Sequence, residues 1–165
     1  MQNINERLSG VCPILPTPFC EDDTIDCGSL EREVNFLLDS GVSGIALFGN
    51  ASEAFALTAA EKQQIAELVV RVNNGRVPLV FGAGGTGIEP AIDSAQWAYK
   101  NGADVLMMMP PYMIKPDAQR IYDYYAAVAK AVPLPIMIQD APGACGVNIP
   151  IDTIVRLVND YDNIR

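Results

Sequence analysis

Five short apolar runs punctuate the chain: VCPIL (11–15), GIALF (44–48), PLVFG (78–82), DVLMMM (104–109) and PIMIQ (135–139). They are continuous rather than alternating, which is the pattern of strands covered on both faces of a parallel sheet. Between them apolar residues recur every three or four positions among polar ones, which predicts amphipathic helices. Over 29–40 this spacing gathers Leu30, Val34, Leu37 and Leu38 on one face. The helix over 58–74 opens with Thr58-Ala59-Ala60-Glu61, a capping-box sequence that satisfies the orphan N–H groups of a helix start. Segments 88–101, 117–131 and 151–160 complete the set, and Asn101-Gly102 is a helix stop because glycine enters the left-handed conformation cheaply. The order is βα repeated five times, with strand starts at 11, 44, 78, 104 and 135. Such alternation implies a parallel sheet with right-handed crossovers. Two architectures fit it, an open doubly wound sheet and a (β/α)8 barrel of which about five units are present.

Composition narrows the function more than the fold. A chain of 165 residues, half apolar and 19% charged, has the balance of one soluble globular domain or part of one. Eleven basic against twenty acidic residues give a net charge of -9, which argues against nucleic acid and against a polybasic membrane contact. The opening ten residues are polar, with no apolar stretch for a signal peptide. Residues 105–114 form the richest apolar run, but Pro110-Pro111 break it, so no bilayer span is expected and the cytoplasm is the expected compartment. Cys12, Cys20, Cys27 and Cys145 include no C-x-x-C pair and are read as reduced thiols with a packing role. The sequence holds no histidine, which removes a His-based metal site, a Ser-His-Asp triad and a Cys-His dyad together. No metal is expected, and acid–base work falls to Tyr, Lys, Asp, Glu or a thiol.

Gly82-Ala83-Gly84-Gly85-Thr86-Gly87 fits G-x-G-x-x-G, the glycine pattern of a dinucleotide-binding turn. Such a turn needs an acidic residue at the end of the next strand, about 20 residues on, to take the ribose hydroxyls. That strand ends here in Met109-Pro110-Pro111, and Asp104 stands at its start, on the wrong edge of the sheet. The loop is therefore expected to be the rim of a site, with no cofactor.

Four other βα junctions carry a family signal. Gly10-Val11-Cys12-Pro13-Ile14-Leu15 leads to Thr17-Pro18-Phe19. The second run continues into Gly49-Asn50-Ala51-Ser52-Glu53, then Leu57-Thr58 and Glu61. The fourth gives Met109-Pro110-Pro111-Tyr112 and closes at Lys115-Pro116. The fifth gives Gln139-Asp140-Ala141-Pro142, with Gly146 after it. In this order and spacing, from Gly10 to Arg165, the chain resembles the dihydrodipicolinate synthase / N-acetylneuraminate lyase family. The resemblance implies a (β/α)8 TIM barrel, of which residues 1–165 form the N-terminal part of a single domain. It implies Schiff-base lyase chemistry, aldolase or dehydratase, on pyruvate or another 2-oxo acid, with no cofactor and as a homo-oligomer, commonly a tetramer. The turn Gly49, Asn50, Ala51 and Ser52 would hold the 2-oxo acid's carboxylate through backbone N–H groups and hydroxyls, and Glu53 would accept N–H bonds that hold the loop.

Two departures from the family pattern bear on chemistry. Asn50 and Ala51 stand where the family usually has two threonines, so the N–H donors survive while a proton-relaying hydroxyl does not. Gln139 and Asp140 replace the Tyr-Asn of the family's fifth strand, and the family's nearby arginine matches Ala144. Dihydrodipicolinate synthase activity itself is therefore not expected. Asp140, at the carboxyl end of a strand, becomes the candidate replacement base, with a turn-holding role as its plain alternative. Tyr112 matches a family aromatic of the fourth loop and is read as an active-site or subunit-contact residue, or as packing. The Schiff-base lysine of the family lies on the sixth strand, which would begin near 162–165. Lys62, Lys100 and Lys130 fall in helical segments, and Lys115 in an open loop, so none is its expected counterpart. The rival reading is a non-catalytic member or fragment serving as an oligomer or interaction module.

Overall fold

The computed structural model of the protein describes Ile4 and residues 8–165. The polar opening, read above as lacking a signal peptide, lies outside the described residues at 1–3 and 5–7. Two compact units are present, Met1–Gly82 and Ala83–Arg165.

In the first unit the run 11–15 is less regular than its apolar residues predict. It forms one bridge, Ile14 to Ala46, with Leu15 N–H donating to the Ala46 carbonyl and Ala46 N–H to that of Pro13, both at 2.8 Å. Pro13 and Pro16 flank Ile14 and Leu15, and neither has an N–H to extend a ladder. Helix α1 (Cys27–Asp39) starts where the Asp26 carboxylate accepts the Ser29 N–H at 2.9 Å; the bond it accepts from the Ser29 hydroxyl, and then this one, lower the Asp26 pKa. It buries Leu30 and Val34. Strand β1 (Ile45–Leu47) pairs in parallel with β2 (Leu79–Gly82), in the register Ile45 to Leu79 and Leu47 to Phe81. Between them α2 (Ala59–Asn73) carries the expected capping box. Thr58 Oγ1 accepts the Glu61 N–H at 3.2 Å, and the Glu61 carboxylate accepts the Thr58 N–H at 2.7 Å.

The second unit repeats the plan with α3 (Ile88–Lys100), β3 (Val105–Met108), α4 (Ala118–Ala131), β4 (Ile136–Ile138), the short α5 (Pro142–Cys145) and α6 (Ile151–Asp160). Helix α3 stops as expected, with Asn101 as its cap and Gly102 at φ +92°. Strands β3 and β4 are parallel, with Leu106 opposite Ile136 and Met108 opposite Ile138. The far edge of β4 is occupied. Ile136 bridges Ile164, its N–H donating to the Asn163 carbonyl at 2.7 Å while Arg165 N–H donates to Ile136 at 2.8 Å. The segment 163–165 thus meets β4 through one isolated bridge. The Asn163 amide fixes this segment by donating to three carbonyls, those of Ala129, Val132 and Leu134. Arg156 stacks 3.7 Å above the Tyr122 ring, and the Tyr122 hydroxyl donates to Asp160 at 2.6 Å, tying α4 to α6.

All four cysteines are free thiols, only Cys145 of them buried. Among the described residues no helix is long and apolar enough to cross a membrane, and no cluster of three metal-binding side chains occurs.

Candidate functional site

The turn after β1 is built by backbone conformations its residue types do not favour. Phe48 sits at φ +60°, a genuine outlier for a bulky side chain. It is held there by packing, since its ring meets Phe81 edge-on at 5.2 Å and its residue is buried. A single 3-10 turn follows, Asn50–Ser52, closed by Ser52 N–H to Gly49 O at 3.1 Å and Glu53 N–H to Asn50 O at 3.0 Å. The N–H groups of Asn50 and Ala51, both exposed residues, meet no acceptor among the described residues. Two neighbouring donors at the start of a helical turn are the arrangement that receives a carboxylate.

Gly49 and Ser52 are buried beneath them, and Ser52 is engaged. Its hydroxyl donates to the Leu15 carbonyl at 2.6 Å, while Thr17 Oγ1 donates to the Ser52 carbonyl at 2.7 Å. The Ser52 hydroxyl thus holds the first run against the turn, and Thr17, from the Thr17-Pro18-Phe19 junction, is half of the same tie. Ser52→Ala would leave the buried Leu15 carbonyl unpaired, and chemical denaturation is expected to show a loss of about 1–3 kcal/mol. Glu53 departs from its expected part. It is exposed at φ +53°, and its backbone carbonyl, not its carboxylate, accepts a bond, from Ala56 N–H at 2.8 Å.

In the second unit the three candidate acid–base residues lie around two buried tyrosines of α4. Gln139 continues β4, its N–H donating to Met108 O at 2.8 Å. Asp140 is exposed, and one carboxylate oxygen accepts the Ile149 N–H at 3.4 Å, so it steadies the loop behind α5 rather than the Pro142-Gly143 turn. Tyr125, fully buried, donates its hydroxyl to Met108 O at 2.8 Å. Burial pushes the Tyr125 phenol far up, and Tyr124, Cys145 and Asp140 push the same way. Tyr124, 1% exposed, is raised to about 12, chiefly by burial, with Tyr112 contributing the same way. Tyr112 itself is 44% exposed at the loop surface. Sequence reading missed Tyr124 and Tyr125, because aromatic residues on a helix face read as core.

In the glycine loop the N–H groups of Gly84 and Gly85 are engaged. Gly85 N–H donates to the Tyr124 hydroxyl at 3.0 Å, and Gly84 N–H donates to Ser94 Oγ at 3.4 Å. A Cβ on Gly85 would come within 2.9 Å of Ala91 N and Pro90 Cβ, so that glycine serves the close approach of α3. The four lysines stand as expected: Lys62 on α2, Lys100 ending α3, Lys130 on α4 and Lys115 in the exposed loop after β3. Burial lowers the pKa of Lys62.

Comparison with known proteins shows what the chain is similar to. Curated 4-hydroxy-tetrahydrodipicolinate synthases match, from Phocaeicola vulgatus at 34% identity over 98% of this chain and 54% of the relative, and from Methanocaldococcus jannaschii at 36% over 94% and 53%. The chain spans about half the length of these relatives. Among solved structures, a chloride-inhibited dihydrodipicolinate synthase from Acinetobacter baumannii complexed with pyruvate superposes with TM-score 0.91 at 33% identity, covering 96% of this chain and 55% of that one. A prophage protein of the dihydrodipicolinic acid synthase family from E. coli K12, also in complex with pyruvate, gives 0.88 at 28%, covering 94% and 53%. The fold is that of these (β/α)8 barrels, of which the chain supplies about five βα units. The model of the dihydrodipicolinate synthetase family matches residues 7–165, and the chain belongs to that family.

Proposed function

We propose that this chain carries the 2-oxo-acid-binding part of a Schiff-base-forming lyase, an aldolase or dehydratase acting on pyruvate or a related 2-oxo acid. The observation that carries the reading is the turn at Asn50 and Ala51, with two exposed, unpaired N–H donors beside each other. Solved relatives complexed with pyruvate support it. Gly49 and Ser52 support the turn from below, while Asn50 and Ala51 receive the substrate carboxylate. Asp140 is the candidate base, and Gln139 and Tyr112 are the other candidate site residues. Gln139 cannot give up and recover a proton near neutral pH. The substrate is on that ground different from that of the lysine-biosynthesis enzyme, although the matching relatives carry that enzyme's name. The working form is a homo-oligomer, and residues 1–165 are part of one barrel domain.

The nucleophile is the part of the machinery that the four lysines do not supply. Three lie on helices and one in an exposed loop, and none on a strand. Incubating the 17.8 kDa chain with pyruvate, adding borohydride and recording the intact mass tests this directly. Pyruvate is expected to bind, seen as line broadening of its methyl resonance, without a reduced adduct. An adduct would overturn the assignment of the lysines and make half-buried Lys62 and loop residue Lys115 the first suspects. Absence of any binding would overturn the carboxylate turn and favour the non-catalytic module.

A further inference from the structure

Two asparagines of the chain stand directly before glycine, in Asn74-Gly75 after α2 and Asn101-Gly102 after α3. Glycine leaves its amide nitrogen open to a neighbouring side chain, because it has no Cβ to shield the approach. Both pairs end helices, yet they are held differently. Asn74 takes the left-handed conformation, at φ +46° and ψ +39°, and Gly75 follows at φ +71°. Both are exposed, and neither the Asn74 side chain nor the Gly75 N–H meets a partner among the described residues. Nothing lies within 4 Å of where a Gly75 Cβ would be. The flanks are fixed. The buried Asn73 side chain donates to the Val77 carbonyl at 2.8 Å and accepts the Val77 N–H at 3.2 Å, while Arg76 N–H donates to Asn73 O at 3.0 Å. At the second pair the Asn101 side chain donates to the Trp97 carbonyl at 2.8 Å. Gly102 N–H donates to Tyr99 O at 3.5 Å, and the N–H of buried Ala103 to Ala98 O at 3.0 Å.

From this contrast we infer that Asn74-Gly75 is a site of spontaneous deamidation and isoaspartate formation, and that Asn101-Gly102 is protected from it. In the first step the Gly75 nitrogen attacks Asn74 Cγ and gives up its proton to solvent. A C–N bond forms, the bond from Cγ to the side-chain nitrogen breaks, and that nitrogen leaves as ammonia. Water then opens the succinimide ring at either carbonyl, which yields aspartate or, with a methylene moved into the main chain, isoaspartate. Ring closure requires rotation about the Asn74 Cα–C bond, and one backbone hydrogen bond, Arg76 N–H to Asn73 O, opposes it. At Asn101 the same rotation must break the Gly102 and Ala103 bonds, and the side chain must leave Trp97. Opening an exposed two-residue tip costs less than opening a bonded helix end. The product places one more negative charge at the C-terminal end of α2, where the helix dipole disfavours it. Asn74 precedes β2 and Asn50 follows β1, so the tip and the carboxylate turn lie at opposite ends of this parallel pair. The modification therefore proceeds independently of the 2-oxo-acid reading.

Ageing the full chain in mildly alkaline buffer, followed by tryptic peptide mass mapping, tests the assignment. Cleavage after Arg71 and Arg76 releases the first pair in peptide 72–76, and cleavage after Lys100 and Arg120 releases the second in 101–120. Fragmentation of the first peptide separates Asn74 from Asn73. In the folded protein Asn74 is expected to deamidate at least about tenfold faster than Asn101, with isoaspartate the larger product. In denaturant the two rates should converge, because the same residue pair reacts without its surroundings. Asn74→Gly puts the residue best suited to a left-handed helix cap at that position, so it should fold normally and form no early acidic species. Equal rates in the folded protein, or faster loss at Asn101, would overturn the inference. So would a difference of the same size in denaturant, or an early acidic species that persists in Asn74→Gly.

Discussion

Gly82→Ala is expected to destabilise the protein by at least about 3 kcal/mol, at the upper end of what overpacking a core costs. An added methyl would drive into the Phe48 carbonyl oxygen and come within 2.6 Å of its carbonyl carbon. A flexible side chain in that place could swing away, but a backbone carbonyl cannot. This one is aimed at Gly82 by the left-handed conformation of Phe48, and relief would require Phe48 to leave it. That movement would carry the Asn50–Ala51 donors with it, so any folded variant should also bind 2-oxo acids poorly. Urea denaturation measures the loss. Gly143→Ala is the matched control, since nothing surrounds its Cβ position and its φ is not positive. It should be neutral or stabilising by a few tenths of a kcal/mol. Tolerance of Gly82→Ala to within about 1 kcal/mol would show that the strained turn can relax without loss.

Raising the pH from 10 to 12 is expected to remove stability through the buried phenols of α4. Tyr124 has its pKa pushed from the ordinary 10.0 up to about 12, and Tyr125 is pushed further in the same direction. Both shifts favour the protonated form in the folded state. Between pH 10 and 12 the unfolded chain loses these protons while the folded chain keeps them. The folded state then binds more protons, and unfolding free energy falls as pH rises. Below pH 10 the two phenols contribute no slope. By pH 12 Tyr124 alone accounts for a loss on the order of 2 kcal/mol, and Tyr125 adds to it. Thermal unfolding followed by circular dichroism across this range, compared with a Tyr124→Phe/Tyr125→Phe variant, isolates the effect. The variant starts less stable but should decline less steeply. Parallel declines would mean that the two hydroxyls are not protected in the folded state.

Much of the architecture was legible because it rests on periodicity and end signals. The capping box at Thr58 and Glu61, the stop at Asn101-Gly102, and the Leu30 and Val34 face of α1 all form as local sequence chemistry dictates. Apolar content alone overstated the first run, where Pro13 and Pro16 limit pairing to one bridge; their missing N–H groups were the available signal. In the site, the Gly49–Ser52 turn was readable, but the division of labour inside it was not. Ser52 looks like a substrate-facing hydroxyl until burial shows it bonded to Leu15. The left-handed Phe48 had no local signal, because its conformation is imposed by packing against Phe81 from a distant strand. Tyr124 and Tyr125 were hidden for a related reason. Their phenol oxygens find backbone partners 39 and 17 residues away, contacts that no helical period encodes.

The paired bonds between Thr17, Ser52 and Leu15 also set how the first unit breathes. Leu15 gives its N–H to Ala46 and its carbonyl to the Ser52 hydroxyl, so the first run cannot lift away without releasing the turn that Ser52 anchors. Thr17 closes the same link from the other side. Residues 13–17 and 49–53 therefore belong to one cooperative opening unit, although more than thirty positions separate them in the chain. Occupation of the Asn50–Ala51 donors would slow amide exchange in the proline-flanked first run.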